Sequence, residues 1–313
     1  MKTILITGAA GFIGSHLCDF FLKHNKVIGI DNFITGSRKN ISCQLDNENF
    51  TFIEHDICKQ LKIQKKIDYI LHFASPASPV DYMKFPIETL RTNSNGTENI
   101  LELGLKNNAT VLVASTSEVY GDPLIHPQNE SYFGNVNPVG PRSVYDEAKR
   151  YLEAITMAYN RKKKLNTRIV RIFNTYGPRM RVNDGRAIPN FINQCIYKKN
   201  LTIYGDGSQT RSFCYISDTV TGINNLLKTN YHNPINIGNP DEFTINELAK
   251  KIITILNPKT KITFKKLPVN DPKVRRPEIS LAKSILKWHP VIDLNEGLEL
   301  TIDYYNKLYN FKK

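Results

Sequence analysis

The amino terminus limits what this chain can fold into more than any other stretch. Lys2-Thr3-Ile4-Leu5-Ile6-Thr7 is a short apolar run, Gly8-Ala9-Ala10-Gly11-Phe12-Ile13-Gly14 follows at once, and Ser15 to Leu22 begins an amphipathic helix. Glycines between a strand and a helix permit a tight turn, let the backbone approach a pyrophosphate and allow close helix–strand packing, while the helix N-terminus holds the anion. The spacing is Gly-x-x-Gly-x-x-Gly rather than Gly-x-Gly-x-x-Gly. Its setting is nevertheless the one required: strand, turn, helix, then Val27-Ile28-Gly29-Ile30 ending at Asp31. A carboxylate there bonds the adenosine ribose hydroxyls and repels a 2′-phosphate, so the expected dinucleotide is NAD rather than NADP. Arg38 would argue the other way, but it fits a solvated loop charge better.

Strand and helix patterns alternate beyond this point. Phe50 to Glu54, with Asp56-Ile57 just after, Tyr69 to Ser75, Thr110 to Ala114 and Asn166 to Arg171 read as strands; 86–107 and Arg142 to Lys163 read as helices. This order implies an α/β fold, a doubly wound parallel sheet of Rossmann type with right-handed crossovers and ligand groups at the carboxyl ends of the strands. After Gly177 the texture changes to more Pro, Gly and Arg, with shorter strands (201–204, 234–237, 261–264) and helices near 217–229, 244–256 and 294–309. The expected division is a dinucleotide-binding domain over 1–176, to which segments near 212–238 return, and a smaller mixed α/β substrate-binding domain over 177–313.

Ser115-Thr116-Ser117-Glu118-Val119-Tyr120-Gly121 ends one of those strands, and Tyr145 and Lys149 fall one turn apart on the helix that opens after Pro138 and Pro141. Hydroxyl, carboxylate, phenol and amine thus converge where a nucleotide sheet places its chemistry. A free phenol titrates near ~10, and lowering that by about three pH units takes roughly 4 kcal/mol, which a nearby ammonium and a cationic nicotinamide can supply. Tyr-x-x-x-Lys is also a common accident on helices, so it gains its meaning from the glycine turn.

Length suits one large domain or two modest ones, with a full core to bury. The 313 residues carry a formal net charge of +13. The lysines are spread along the chain, and the one dense run, Arg161-Lys162-Lys163-Lys164, ends a helix where cations suit the dipole, so no nucleic-acid partner is expected. Five scattered cysteines without a C-x-x-C pair fit reduced thiols rather than disulfides or a metal centre. No apolar run approaches membrane-spanning length and the first strand begins at Lys2, so no membrane association and a cytoplasmic location are expected.

The glycine turn, the Thr–Tyr–Lys set and Arg171-Ile172-Phe173-Asn174-Thr175-Tyr176-Gly177-Pro178 resemble the extended short-chain dehydrogenase/reductases that act on nucleotide sugars. Within them the chain is most similar to the UDP-glucuronate decarboxylases. The resemblance rests on His72 to Pro79, Thr116 to Pro123, Asn137 to Glu147, Asn183 to Arg186, Tyr204 to Arg211 and Asp271 to Pro277, which together span nearly the whole chain. Related dehydratases have Thr-Asp-Glu where this chain has Thr116-Ser117-Glu118; a serine cannot usefully protonate a departing hydroxyl near neutral pH, and a decarboxylase has none to expel.

The resemblance implies decarboxylation of UDP-glucuronate to UDP-xylose. Tyr145, held as phenolate by Lys149, takes the C4 hydroxyl proton as NAD oxidises C4. CO2 leaves from the β-keto acid, the enolate is stabilised by Tyr145 and Thr116, Glu118 helps return a proton to C5, and the same NADH reduces C4 again. It further implies that Gly8, Gly11, Phe12, Ile13, Gly14, Asp31, Asn32, Thr35, Gly36, Asp56, Ile57, Phe73, Ser75 and Thr92 line the dinucleotide together with Tyr145 and Lys149. On the substrate side it assigns Ser117, Glu118 and Asn174 to the sugar nucleotide, Arg186 to the anionic substrate, Arg211 to the diphosphate, Arg275 to the sugar end, and Tyr204 and Gln209 to the uridine or phosphates. Arg275 is counted with the catalytic groups. For each arginine a domain-docking salt bridge is the competing role, preferred for Arg276; His72 is expected to be a hydrogen-bonded core residue. The helices near 86–107 and 147–163 resemble the family's four-helix homodimer interface. Three alternatives stay open: a decarboxylase that releases the UDP-4-keto-pentose and NADH, another nucleotide-sugar dehydratase or epimerase, and a sensing protein that has lost catalysis.

Overall fold

The computed structural model describes residues 1–257, 259–266 and 274–310; Asp271, Pro272 and Lys273 of the last motif lie outside them. In chain order the elements are β1 (Thr3–Thr7), α1 (Phe12–Leu22), β2 (Lys26–Asp31), β3 (Phe50–Glu54), β4 (Tyr69–His72), α2 (Pro79–Lys84), α3 (Pro86–Arg91), α4 (Thr97–Asn107) and β5 (Thr110–Thr116). They continue with α5 (Ser143–Lys163), β6 (Thr167–Ile172), β7 (Thr175–Tyr176), α6 (Ala187–Ile196), β8 (Leu201–Tyr204), β9 (Thr210–Ser212), β10 (Cys214–Tyr215) and α7 (Ile216–Leu227). The last are β11 (Pro234–Ile237), β12 (Glu242–Thr244), α8 (Ile245–Leu256), β13 (Ile262–Lys265), α9 (Ser280–Leu286) and α10 (Leu294–Asn310).

The main sheet has seven strands in the order β11-β6-β5-β4-β1-β2-β3, and every pairing in it is parallel. The order in which successive strands are added reverses between β1 and β4, which opens the crevice expected at a topological switch point. Alternate residues of each strand feed opposite faces. Ile4, Ile6, Leu71, Leu112 and Val170 enter one apolar cluster, whereas Leu5, Ile28, Ile70, Val111 and Val113 enter another. Burial on both faces explains the near-continuous β-branched runs in the sequence. Each such side chain contributes about 1.5–3 kcal/mol by leaving water.

The helix expected over 86–107 runs its full length and contains a π-helical turn. That turn, Thr92–Gly96, joins α3 to α4, and Gly96 lies so close to Ile57 that a Cβ would stand 2.9 Å from its Cδ1. Helix α6, unread in the sequence, carries Pro189 in its first turn. Proline is tolerated there because the backbone N–H has no intrahelical acceptor. β11 returns to the main sheet beside β6, and β13 pairs with β8 in a separate two-stranded sheet.

Candidate active site

The turn after β1 is built by exclusion of side chains. Gly8 has φ +71°, and a Cβ on it would meet Phe73 O at 2.7 Å; a Cβ on Gly14 would stand 2.0 Å from Gly8 O. The backbone therefore forms a cradle open to an anion at the start of α1, whose first turn holds no acidic residue. At the end of β2, Asp31 accepts from the Ala10 amide at 2.9 Å and the Phe33 amide at 2.8 Å. Burial pushes its carboxyl up and those amides pull it back. Gly36 packs against the same carboxylate, 2.9 Å from either oxygen to where a Cβ would be. Asn32, Thr35, Asp56, Ile57, Phe73, Ser75 and Thr92 surround a small cavity beside Asp31. Phe12, Ile13 and Gly14 line a larger one. A ribose-binding carboxylate next to a side-chain-free cradle is the donor set a dinucleotide needs, so the residues present fit NAD. Arg38 turns away to Glu54 at 2.5 Å, as the solvated-charge role requires.

At the end of β5, Thr116 caps the short turn Ser117–Tyr120, its hydroxyl accepting from the Glu118 amide at 3.3 Å. Lys149, one turn along α5, donates to Ala114 O at 2.8 Å and stands 5.8 Å from the centre of the Tyr145 ring. Burial raises Tyr145 well above the ordinary phenol range, with the neighbouring Thr116 side chain opposing it. Burial also lowers Lys149 to about 7, because desolvation disfavours the charged form of each group.

Glu118 has the opposite character. Burial raises its pKa, but Arg275, Arg142 and Arg211 outweigh that and hold it at about 2. Arg142 Nη2 donates to its Oε2 at 2.5 Å and Arg275 Nη2 stands at 3.4 Å. Arg275 is itself buried; it also donates to Ser117 O, and to Gly121 O at 2.9 Å. Next to Tyr145, the buried Asp146 is pushed up to about 7, first by burial and then by Glu118.

A cavity of about 430 Å³ joins these groups to the remaining predicted residues: Ser117, Asn174, Arg186, Tyr204, Gln209, Arg211 and Arg275 all line it. Arg186 is paired with Asp184, Nη2 to Oδ2 at 2.8 Å; Gln209 donates to Tyr204 O at 2.6 Å, and Arg211 to Thr210 O at 2.8 Å. Asn174 O accepts from the Cys214 amide at 2.9 Å. His72 lies in the core, with Nδ1 2.8 Å from the Thr7 hydroxyl and Nε2 3.1 Å from that of Thr97, and burial lowers it to about 3.

Several cavity-lining residues escaped the sequence analysis, Tyr82, Asp81 and Arg142 among them. Tyr82 stacks on Tyr145, and Asp81 pairs with Arg181; both contacts join segments distant in sequence, and no local pattern announces them. Arg142 carried a usable signal, since it stands one turn before Tyr145 in a quoted motif. Among the described residues no cluster of His, Cys, Asp and Glu could hold a metal ion, and no helix is long and apolar enough to cross a membrane.

Comparison with known proteins bears on this arrangement. Residues 4–238 match the model of the NAD dependent epimerase/dehydratase family. UDP-glucuronic acid decarboxylase 1 of Danio rerio is 49% identical over 307 residues, 98% of this chain and 73% of that protein. UDP-glucuronic acid decarboxylase 3 of Arabidopsis thaliana is 49% identical over 299 residues, 95% of this chain and 87% of that protein. Among solved structures, UDP-glucuronic acid 4-epimerase from Bacillus cereus, in complex with UDP-glucuronic acid and NAD, superposes with a TM-score of 0.89. It is 33% identical and covers 98% of this chain and 100% of its own.

Proposed function

We infer the reaction from one premise: the chain belongs to the NAD dependent epimerase/dehydratase family and, within it, to the UDP-glucuronic acid decarboxylases. The protein converts UDP-glucuronate to UDP-xylose and CO2 through a UDP-4-keto intermediate, without net redox change. The observation that carries this reading is the pairing of Ser117 with a Glu118 held at about 2 by arginines. Neither group can protonate a departing hydroxyl at neutral pH, so dehydration lacks its acid.

NAD, when bound, supplies the electron sink that makes C4 a ketone and later restores it. Tyr145 takes the C4 hydroxyl proton, and Lys149 with the bound cofactor's charge is assigned the task of offsetting the burial that raises its pKa. The Tyr145 and Thr116 hydroxyls donate to O4 as the C5–C6 bond breaks and negative charge gathers there. Glu118, kept ionised, orients a water that gives its proton to C5, the hydroxide being neutralised by the one solvent proton that decarboxylation of a carboxylate consumes, and Tyr145 finally returns its own proton to O4. The cationic side of the cavity, with Arg186, Arg211 and Arg275, suits a substrate carrying roughly three negative charges.

We assign dinucleotide binding to residues 1–176 with the β11 segment, and sugar-nucleotide binding to 177–313. We also propose a cytoplasmic homodimer through α3, α4 and α5. Supporting it, Met83, Ile87, Leu90 and Tyr151 are large apolar side chains left exposed on α2, α3 and α5.

The test is incubation of purified protein with UDP-glucuronate and catalytic NAD, followed by NMR. UDP-xylose and CO2 without lasting NADH absorbance are expected. Stoichiometric NADH with the keto-pentose would assign the releasing decarboxylase instead, and hexuronate returned intact would end the decarboxylase assignment.

A further inference from the structure

Gln128 is fully buried and has no part in the chemistry above. It lies between the Ser117–Tyr120 turn and α5 and forms a parallel bridge with Pro277. Its backbone N–H donates to Arg276 O at 2.9 Å, and its carbonyl accepts from the Glu278 amide at 2.8 Å. The carboxamide is used in both directions: Oε1 accepts from the Arg276 amide at 2.9 Å, and Nε2 donates to Ile125 O at 2.9 Å.

The peptide between Arg275 and Arg276 is therefore held at both ends. Its N–H is bonded to Gln128, and its carbonyl accepts from the Ser212 amide at 3.2 Å and from the Ser212 hydroxyl at 3.3 Å. A peptide plane bonded on both sides resists rotation, so the Cα from which the Arg275 side chain departs is held in place with it. From there the guanidinium reaches the carbonyls of Ser117 and Gly121 and the carboxylate of Glu118. A neutral amide suits the position: it offers both an acceptor and a donor without adding charge beside the arginines.

We propose that Gln128 is a positioning residue for the decarboxylation, its carboxamide fixing the Arg275–Arg276 peptide and so aiming Arg275 at the turn that carries Glu118. The proposal rests on the reaction inferred above, in which Glu118 and Arg275 act at the sugar end. Methionine is close to glutamine in volume and deletes the side-chain hydrogen bonds to the Arg276 amide, to Ile125 O and to His126 Nδ1, the last at 3.3 Å. It leaves the half-buried Arg276 amide without its acceptor, whereas the main-chain bonds of residue 128 remain.

The experiment is a double-mutant cycle. Gln128→Met is expected to lower kcat about tenfold with KM for UDP-glucuronate within about threefold, and to cost less than about twofold in an Arg275→Met background. An unchanged kcat, or an equal loss in both backgrounds, overturns the proposal. Hydrogen exchange decides it independently of turnover. The Arg276 amide should be protected in the wild type, and the 117–121 amides should exchange faster in Gln128→Met. An Arg276 amide exchanging at an exposed-loop rate, or a 117–121 turn unaltered in a folded variant, overturns it. Should the wild type release no CO2, the reaction assignment fails while exchange still judges Gln128; should Gln128→Met not fold, the wild-type Arg276 amide decides alone.

Discussion

The ring of Tyr82 lies parallel to that of Tyr145, with centroids 5.0 Å apart and planes inclined by 7°. Arg142 stands over the same Tyr82 ring at 6.0 Å. The phenol assigned to proton transfer is thus held on one face by an aromatic ring from α2 and cannot tilt without displacing it.

Removing that ring should show in both stability and rate. Tyr82→Ala is expected to cost about 3–5 kcal/mol in chemical denaturation, the usual penalty for deleting a buried aromatic, and to depress kcat. Tyr82→Phe keeps the stack and removes a buried hydroxyl with no hydrogen-bond partner among the described residues. Its melting temperature should stay within about 3 °C of the wild type, since no hydrogen bond is lost.

Tyr145→Phe keeps the packing and deletes the proton carrier. Turnover should vanish while NAD and UDP-glucuronate affinities, read by fluorescence titration, stay within about tenfold. Near-normal product formation by NMR would remove Tyr145 from the reaction.

The amine of Lys149 makes a pH-dependent prediction. Its folded pKa, about 7, lies below the ordinary 10.5 because it is buried. Between those values the unfolded chain holds a proton that the folded chain has released, so this group makes stability rise with pH across that window. Below the window the cost of burying the cation is present in full. Lys149→Met should therefore be inactive yet more stable than the wild type at about pH 6, by an amount on the order of 2–4 kcal/mol. That advantage should shrink as pH climbs toward 10. Denaturation curves at several pH values measure it, and a gap that stays constant with pH would contradict the assignment.

The exposed apolar residues of α3 and α5 give a test of assembly. Ile87→Glu combined with Tyr151→Glu should halve the mass measured by light scattering if these helices pair two copies of the chain, because a desolvated carboxylate is costly at an interface. A mass unaltered by the double substitution would place any interface elsewhere.

The glycine turn and the alternation of strand and helix were legible because they are local: a few neighbouring residues determine the cradle at Gly8 and Gly14, and period-two burial sets the strands. The facing of Tyr145 and Lys149 was legible for the same reason, one helical turn being a fixed distance. Their protonation states were not, since both follow from how deeply the finished fold buries them. The π-helical turn between α3 and α4 was hidden because Thr92–Gly96 carries no proline, and its glycine matters through its contact with Ile57. The stack of Tyr82 on Tyr145 and the reach of Arg275 to Ser117 span 63 and 158 positions, distances over which spacing rules say nothing.

That reach of Arg275 has a bearing on biosynthesis. All seven strands of the main sheet are complete by Ile237, whereas the guanidinium that closes the Ser117–Gly121 turn comes 38 residues later. Synthesis from the amino terminus therefore delivers every strand of the dinucleotide-binding sheet before the guanidinium that ties down the turn beside it.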